Sequence, residues 1–125
     1  MGKRKKSSRK IKRARSASTK IIVCSTTHCI RLKAGEILFC AAEHTCTALY
    51  YTENDFILST KHLGYWEKRL PRFFWRTHDH WLVNSEAAID LLFSERKLQV
   101  RNRLIDIARR RLSKIAALFK KSGIR

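Results

Sequence analysis

Two clusters in this sequence carry side chains suited to recognition chemistry: the triplet Arg109-Arg110-Arg111 and the triplet His78-Asp79-His80. Arginine presents a planar fork of donors that can hold guanine O6 and N7 bidentately or grip a phosphate. The imidazoles and carboxylate of the second triplet could meet base edges or ligate a metal. A metal needs further ligands, and Cys24–Cys29 and Cys40–Cys46 do not have the Cys-x2-Cys spacing of a zinc knuckle. No metal is therefore expected. Asp79 stands out among cations. A carboxylate is repelled by phosphates, yet it could accept from a cytosine amino group, pair with Arg76 or orient His78. His44, Thr45 and Thr47 lie where a loop enters a strand, and they read either as a polar hairpin or as a second set of nucleic-acid contacts. Lys97, Arg101 and Arg103 alternate, so on a strand they would share one exposed face, as a phosphate track or a guarded edge. No Gly-rich phosphate loop and no nucleophile with a supporting base motif is present, so neither an enzyme nor a cofactor is expected.

Charge narrows the partners. The 125 residues hold 28 Lys and Arg against 10 Asp and Glu, a formal net charge of +18. Such a balance favours polyanions, with nucleic acid first and acidic membrane second. Residues 1–18 carry nine of the cations and no acid, and the rest of the chain is basic as well. That first segment has too few apolar residues to bury a core. It is expected to be a disordered arm that lies along phosphates, with residues 19–125 forming one domain. No apolar run reaches membrane-spanning length and no signal peptide is recognisable, so a reduced, cytoplasmic protein with small buried cysteines is expected.

The elements that must position these groups are mostly short strands. β-Branched and apolar runs predict strands at Ile21–Cys24, Cys29–Leu32, Glu36–Ala41, Cys46–Tyr51 and Phe56–Ser59. Thr60 reads as a helix N-cap. Leu63, Trp66, Glu67 and Leu70 have helical spacing, and Pro71 stops that helix. Phe73–Thr77 reads as a strand and Asp79–Asn84 as a tight helical turn. Ala88–Phe93 pairs with Leu98–Val100, and Leu104 to Ile107 makes the last strand. Arg109–Lys121 closes the chain as an amphipathic helix with Leu112, Ile115, Ala116 and Phe119 inward. Trp66, Trp75 and Trp81 read as core, although exposed tryptophans could stack on single-stranded bases.

The stretch Phe74, Arg76, His78, Trp81-Leu82-Val83-Asn84 resembles the signature of the LytTR DNA-binding domain. In that family the order is Phe, any residue, Arg, aliphatic, His, basic or Asn, Ser, aromatic, Leu-Val-Asn. Glu36-Ile37-Leu38-Phe39, Thr47, the Leu63–Pro71 helix and Ile107-Ala108-Arg109-Arg110-Arg111-Leu112 agree with the family in order and spacing, so the resemblance spans roughly residues 20–121. It implies a mainly β fold of layered small antiparallel sheets with a short central helix and a C-terminal helix. It also implies a transcriptional regulator that binds double-stranded DNA by inserting loops into successive major grooves. The residues and the resemblance together lead to expected DNA contacts at His44, Thr45, Thr47, Arg76, His78, Asp79, His80, Arg103, Arg109, Arg110 and Arg111. A second copy on tandem half-sites and a separate signalling protein are further partners the resemblance allows, with a location at the nucleoid. Asp79, His80 and Ala108 depart from the family pattern, as does Thr45-Cys46 where Asn-Tyr is usual. An RNA-binding or ribosome-associated protein fits the charge equally well and is the alternative.

Overall fold

The computed structural model describes residues 11–122. Ten strands and two α-helices follow one another among the described residues. The strands are β1 (Lys20–Cys24), β2 (Cys29–Lys33), β3 (Phe39–Glu43), β4 (Cys46–Tyr50), β5 (Phe56–Ser59), β6 (Phe74–His78), β7 (Trp81–Asn84), β8 (Ala88–Leu92), β9 (Lys97–Val100) and β10 (Arg103–Asp106). Helix α1 (Leu63–Arg69) sits between β5 and β6, and α2 (Leu112–Ser122) closes the domain. All pairings are antiparallel.

The centre is a five-stranded sheet in the order β5-β4-β3-β7-β6. Both faces are covered at its inner strands, which is why β3 and β7 read as largely continuous apolar runs, whereas the edge strand β5 alternates with Phe56 and Leu58 exposed. One face carries Cys40, Leu49, Ile57, Phe74 and Leu82, packed with α1 and the β1–β2 hairpin. The other carries Phe39, Trp75 and Val83, packed with the three-stranded β10-β9-β8 sheet and Ile115 of α2. Neighbouring residues such as Phe74 and Trp75, or Leu82 and Val83, thus serve opposite layers. Cys40 lies wholly inside, where burial pushes its thiol well above the ordinary range and keeps it neutral.

Four expectations change. Trp81–Asn84 is strand β7, not a helical turn. Four residues are too few for periodicity to separate the two, and pairing with β3 and β6 decides it. Asn84 ends the strand fully buried, donating to the Ile37 carbonyl at 2.9 Å and accepting from the Glu86 N–H at 2.9 Å. The N-cap of α1 is His62, whose Nδ1 accepts from the Tyr65 N–H at 3.1 Å; Thr60 instead donates its own N–H to the Cys24 carbonyl. Lys97, Arg101 and Arg103 do not share a strand face, because Arg101 occupies the β9–β10 turn with a left-handed φ of 55°. Cys24 and Cys29 are not separate thiols: the β1–β2 register sets them opposite each other, Cα atoms 4.0 Å apart, and they form a disulfide.

The first ten residues of the expected arm lie outside the described residues. The remainder, Ile11 to Ser18, is docked on the domain. Ala14 is buried and its N–H donates to the Arg69 carbonyl at 2.7 Å. Arg13 donates from Nη1 to the carbonyls of Glu67 and Leu70 at 3.0 and 2.8 Å. Ala17 accepts from the Gly35 N–H at 2.8 Å, and a Cβ on Gly35 would fall 2.7 Å from the Ala17 Cβ. Charge alone suggested a free segment, but two alanines and an arginine aimed at helix-end carbonyls hold it in place.

Candidate nucleic-acid interface

Two turns meet at one end of the central sheet. The β3–β4 hairpin turns at His44-Thr45, with Glu43 and Cys46 paired below it. The β6–β7 hairpin turns at Asp79-His80, with His78 and Trp81 paired below it. The His80 carbonyl accepts from the Ala42 N–H at 2.9 Å, so the turns are stitched side by side. His44 is exposed and holds a φ of 58°, a conformation that glycine or asparagine adopts more easily.

A β-bulge brings the arginine triplet to this end. In the β6–β7 register Arg76 faces Leu82 and His78 faces Trp81, which leaves Thr77 as the extra residue. Its backbone and hydroxyl are therefore free to bond elsewhere. Thr77 is fully buried, its Oγ1 donates to the Asp106 carbonyl at 3.0 Å, and its carbonyl accepts from the Ala108 N–H at 2.8 Å. These bonds moor the end of β10 to β6, and the chain then enters a 3-10 turn at Arg109–Arg111 that leads into α2. Arg110 lands beside the β6–β7 turn, with Nη2 donating to Asp79 Oδ1 at 3.0 Å, and Arg111 lies 3.6 Å from the same oxygen. Cations at the start of a helix oppose its dipole, and Asp79 offsets part of that.

Asp79 is thus occupied by Arg110 rather than by Arg76 or His78. The bond and charge of Arg110, with smaller contributions from Arg111 and Arg76, hold the Asp79 carboxyl below the ordinary carboxylate range. The Asp79 and Arg110 side chains are 67% and 65% exposed, so water screens the pair and a competing anion can open it. His80 is also exposed. His78 is half-buried, its Nδ1 accepts the His80 N–H at 3.2 Å, and the two rings stack with centroids 5.5 Å apart.

The other residues singled out from the sequence are placed differently. Arg76 is turned along the back of the loop. Its Nε donates to the His78 carbonyl at 2.9 Å, Nη2 to the Asp79 carbonyl at 2.8 Å and Nη1 to Glu67 Oε1 at 2.6 Å. Thr47 is fully buried and donates to the Lys61 carbonyl at 2.8 Å, since its position in β4 faces inward. Arg103 is at the opposite end of the β3–β4 hairpin. It lies over the rings of Phe39 and Tyr50, centroids 5.1 and 5.3 Å away, and donates to the Glu53 carbonyl at 2.7 Å. Arg109 is exposed beside Arg110. Sequence reasoning did not single out Glu67 or Thr77. Glu67 carried a signal, being one of the residues at helical spacing just before the signature, but nothing in spacing showed that it would meet Arg76.

The matching family model is the LytTr DNA-binding domain, over residues 27–120. Among solved structures, a LytTr DNA-binding domain from Bacillus cereus superposes with a TM-score of 0.65 at 17% identity, covering 84% of this chain and 97% of that one. No curated protein matches. The predicted layered β architecture with one central and one C-terminal helix is the one observed. With the family model spanning most of its length, the chain belongs to the LytTR family of DNA-binding domains.

Proposed function

We propose that this protein is a sequence-specific regulator of transcription that grips double-stranded DNA with one end of its central sheet. The contact groups are His44 and Thr45 on one turn, His78, Asp79 and His80 on the next, and Arg109, Arg110 and Arg111 at the start of α2. The observation that carries this reading is the convergence of Arg110 and Asp79, 3.0 Å apart and both largely exposed, from elements more than thirty residues apart in sequence. An arginine fork next to a carboxylate acceptor suits a G·C pair in a major groove, where guanine presents two acceptors and cytosine an amino donor. Turns that project from a rigid sheet suit insertion into successive grooves. Arg76, Thr47 and Arg103 hold the framework instead of touching DNA. The cations of residues 1–10 add sequence-independent phosphate contacts, so affinity falls steeply with salt. Two copies on tandem half-sites fit a domain of this size, and the place of action is then the nucleoid.

Arg110→Ala tests this reading by competition between a selected duplex and a random one. Specific affinity should drop by about 10- to 100-fold, with a smaller loss on random DNA. Equal loss on both would reduce Arg110 to a phosphate contact. Displacement of the duplex by structured RNA at equal salt would turn the reading towards an RNA-binding protein.

A further inference from the structure

Behind the turns, a cleft of about 320 Å³ opens between α2, β6 and the docked segment that precedes β1. Trp75 and Ile115, both buried, form an apolar floor. Five cations line it: Arg13 from the docked segment, Arg72 after α1, Arg76 of β6, and Arg111 and Lys114 at the start of α2. Glu67 is its one carboxylate, and Arg76 already holds it at 2.6 Å. Arg72 and Lys114 are exposed and form no ion pair among the described residues. The Nε of Arg111 is the one buried side-chain nitrogen or oxygen among the described residues that lacks a hydrogen-bond partner. A buried donor is costly to leave unpaired, and the arginine that carries it also lines this cleft.

We propose that this cleft is a binding site for a small organic anion, with a phosphate or carboxylate head held by Arg111 and Lys114 and an apolar body lying on Trp75 and Ile115. The volume is at the lower end of the roughly 300–1,000 Å³ usual for small-molecule sites, and the combination of an apolar floor with a few convergent polar groups is what such sites share. Charge-assisted donation from the arginine fork selects a planar or tetrahedral oxyanion over a neutral isostere. The seat adjoins the turn end of the sheet, because Arg111 also reaches Asp79 and donates to the Arg76 carbonyl at 3.4 Å. Arg13 lies ahead of the residues matched by the family model, so the site is not complete in that span alone.

A backbone phosphate of DNA offers the same head-group chemistry, and the test separates the two sources. The full-length ¹⁵N-labelled protein is titrated, without DNA, with phenyl phosphate, inorganic phosphate and benzyl alcohol. The Arg111 Nε–H and Ile115 amide signals are followed by NMR. Phenyl phosphate should shift both saturably and more tightly than inorganic phosphate, and benzyl alcohol should not. Lys114→Glu and Arg72→Glu, both at exposed positions, should each weaken phenyl phosphate by about tenfold. If either variant melts early, the glutamine variants serve in its place. Unsaturable shifts spread over all the basic residues, equal shifts with benzyl alcohol, or movement only on adding duplex would overturn the proposal. Binding of phenyl phosphate needs no DNA, so its failure leaves the DNA-binding reading untouched, and loss of DNA recognition leaves this one untouched.

Discussion

The arginines at the two ends of the central sheet do opposite work. At the far end, Arg103 lies on Phe39 and Tyr50 and donates to the Glu53 carbonyl, while Arg101 reaches the Glu53 carboxylate at 3.4 Å. Their charges are spent on closing the β9–β10 turn against the β4–β5 loop. At the turn end, Arg109 and Arg110 stay exposed, and among the described residues the partner of the Arg110 side chain is a screened carboxylate. Arg76 stands between the two cases: it is at the turn end but bonded like a structural arginine, with all three nitrogens engaged. A cation's use is thus set by how many carbonyls the local fold aims at it, not by its place in a basic sequence.

That contrast can be broken at its strongest point first. Arg76→Ala removes three hydrogen bonds and leaves Glu67 unpaired, so stability should fall by about 2–4 kcal/mol in denaturant unfolding. DNA binding should be lost with it as the turn loosens. Unchanged stability would mean that Arg76 is free to contact DNA. Next comes the mooring: Thr77→Val keeps shape but orphans the Asp106 carbonyl, which should cost about 1–2 kcal/mol. The same variant should lower specific DNA affinity, because the arginine triplet loses its fixed position.

His44→Gly sharpens the comparison from the other side. Relief of the left-handed backbone should raise stability by about 1 kcal/mol, while DNA affinity falls. A more stable protein with full affinity would remove His44 from the interface. The smallest effect is expected from Asp79→Asn, which frees Arg110 and removes a charge that repels phosphates. Binding to random DNA should tighten a few-fold, with sequence preference reduced. Because the Asp79 pKa is depressed in the folded protein, the pair with Arg110 is present above the ordinary carboxylate range and is lost only as pH falls through the depressed value. Between about pH 6 and pH 8, Asp79 should therefore add no pH dependence to DNA binding, as titration of the wild type against the asparagine variant would show.

Much of the layered fold was readable because the inner strands of the central sheet are buried on both faces, and runs such as Phe39-Cys40-Ala41 announce that directly. Helix α1 was bounded by Pro71, and α2 showed its inward face through Leu112, Ile115 and Phe119. What pattern could not show was register. Register sets Cys24 opposite Cys29, leaves Thr77 as the bulged residue and turns Thr47 inward. Each depends on pairing between distant segments, which a local period does not encode. The site divides in the same way. Exposed groups at turns, such as Asp79, His80 and Arg110, were legible as candidates. The partner of Asp79 was not, because Arg110 reaches it only through the Thr77 bulge and the end of β10.

The most direct test of the central claim is selection of bound sequences from a random duplex pool, with wild type and Arg110→Ala in parallel. The wild type should enrich a defined motif, and the variant should lose information at one or two adjacent positions and keep the rest. An identical motif from both proteins, or none from the wild type, would contradict the claim that this end of the sheet reads sequence.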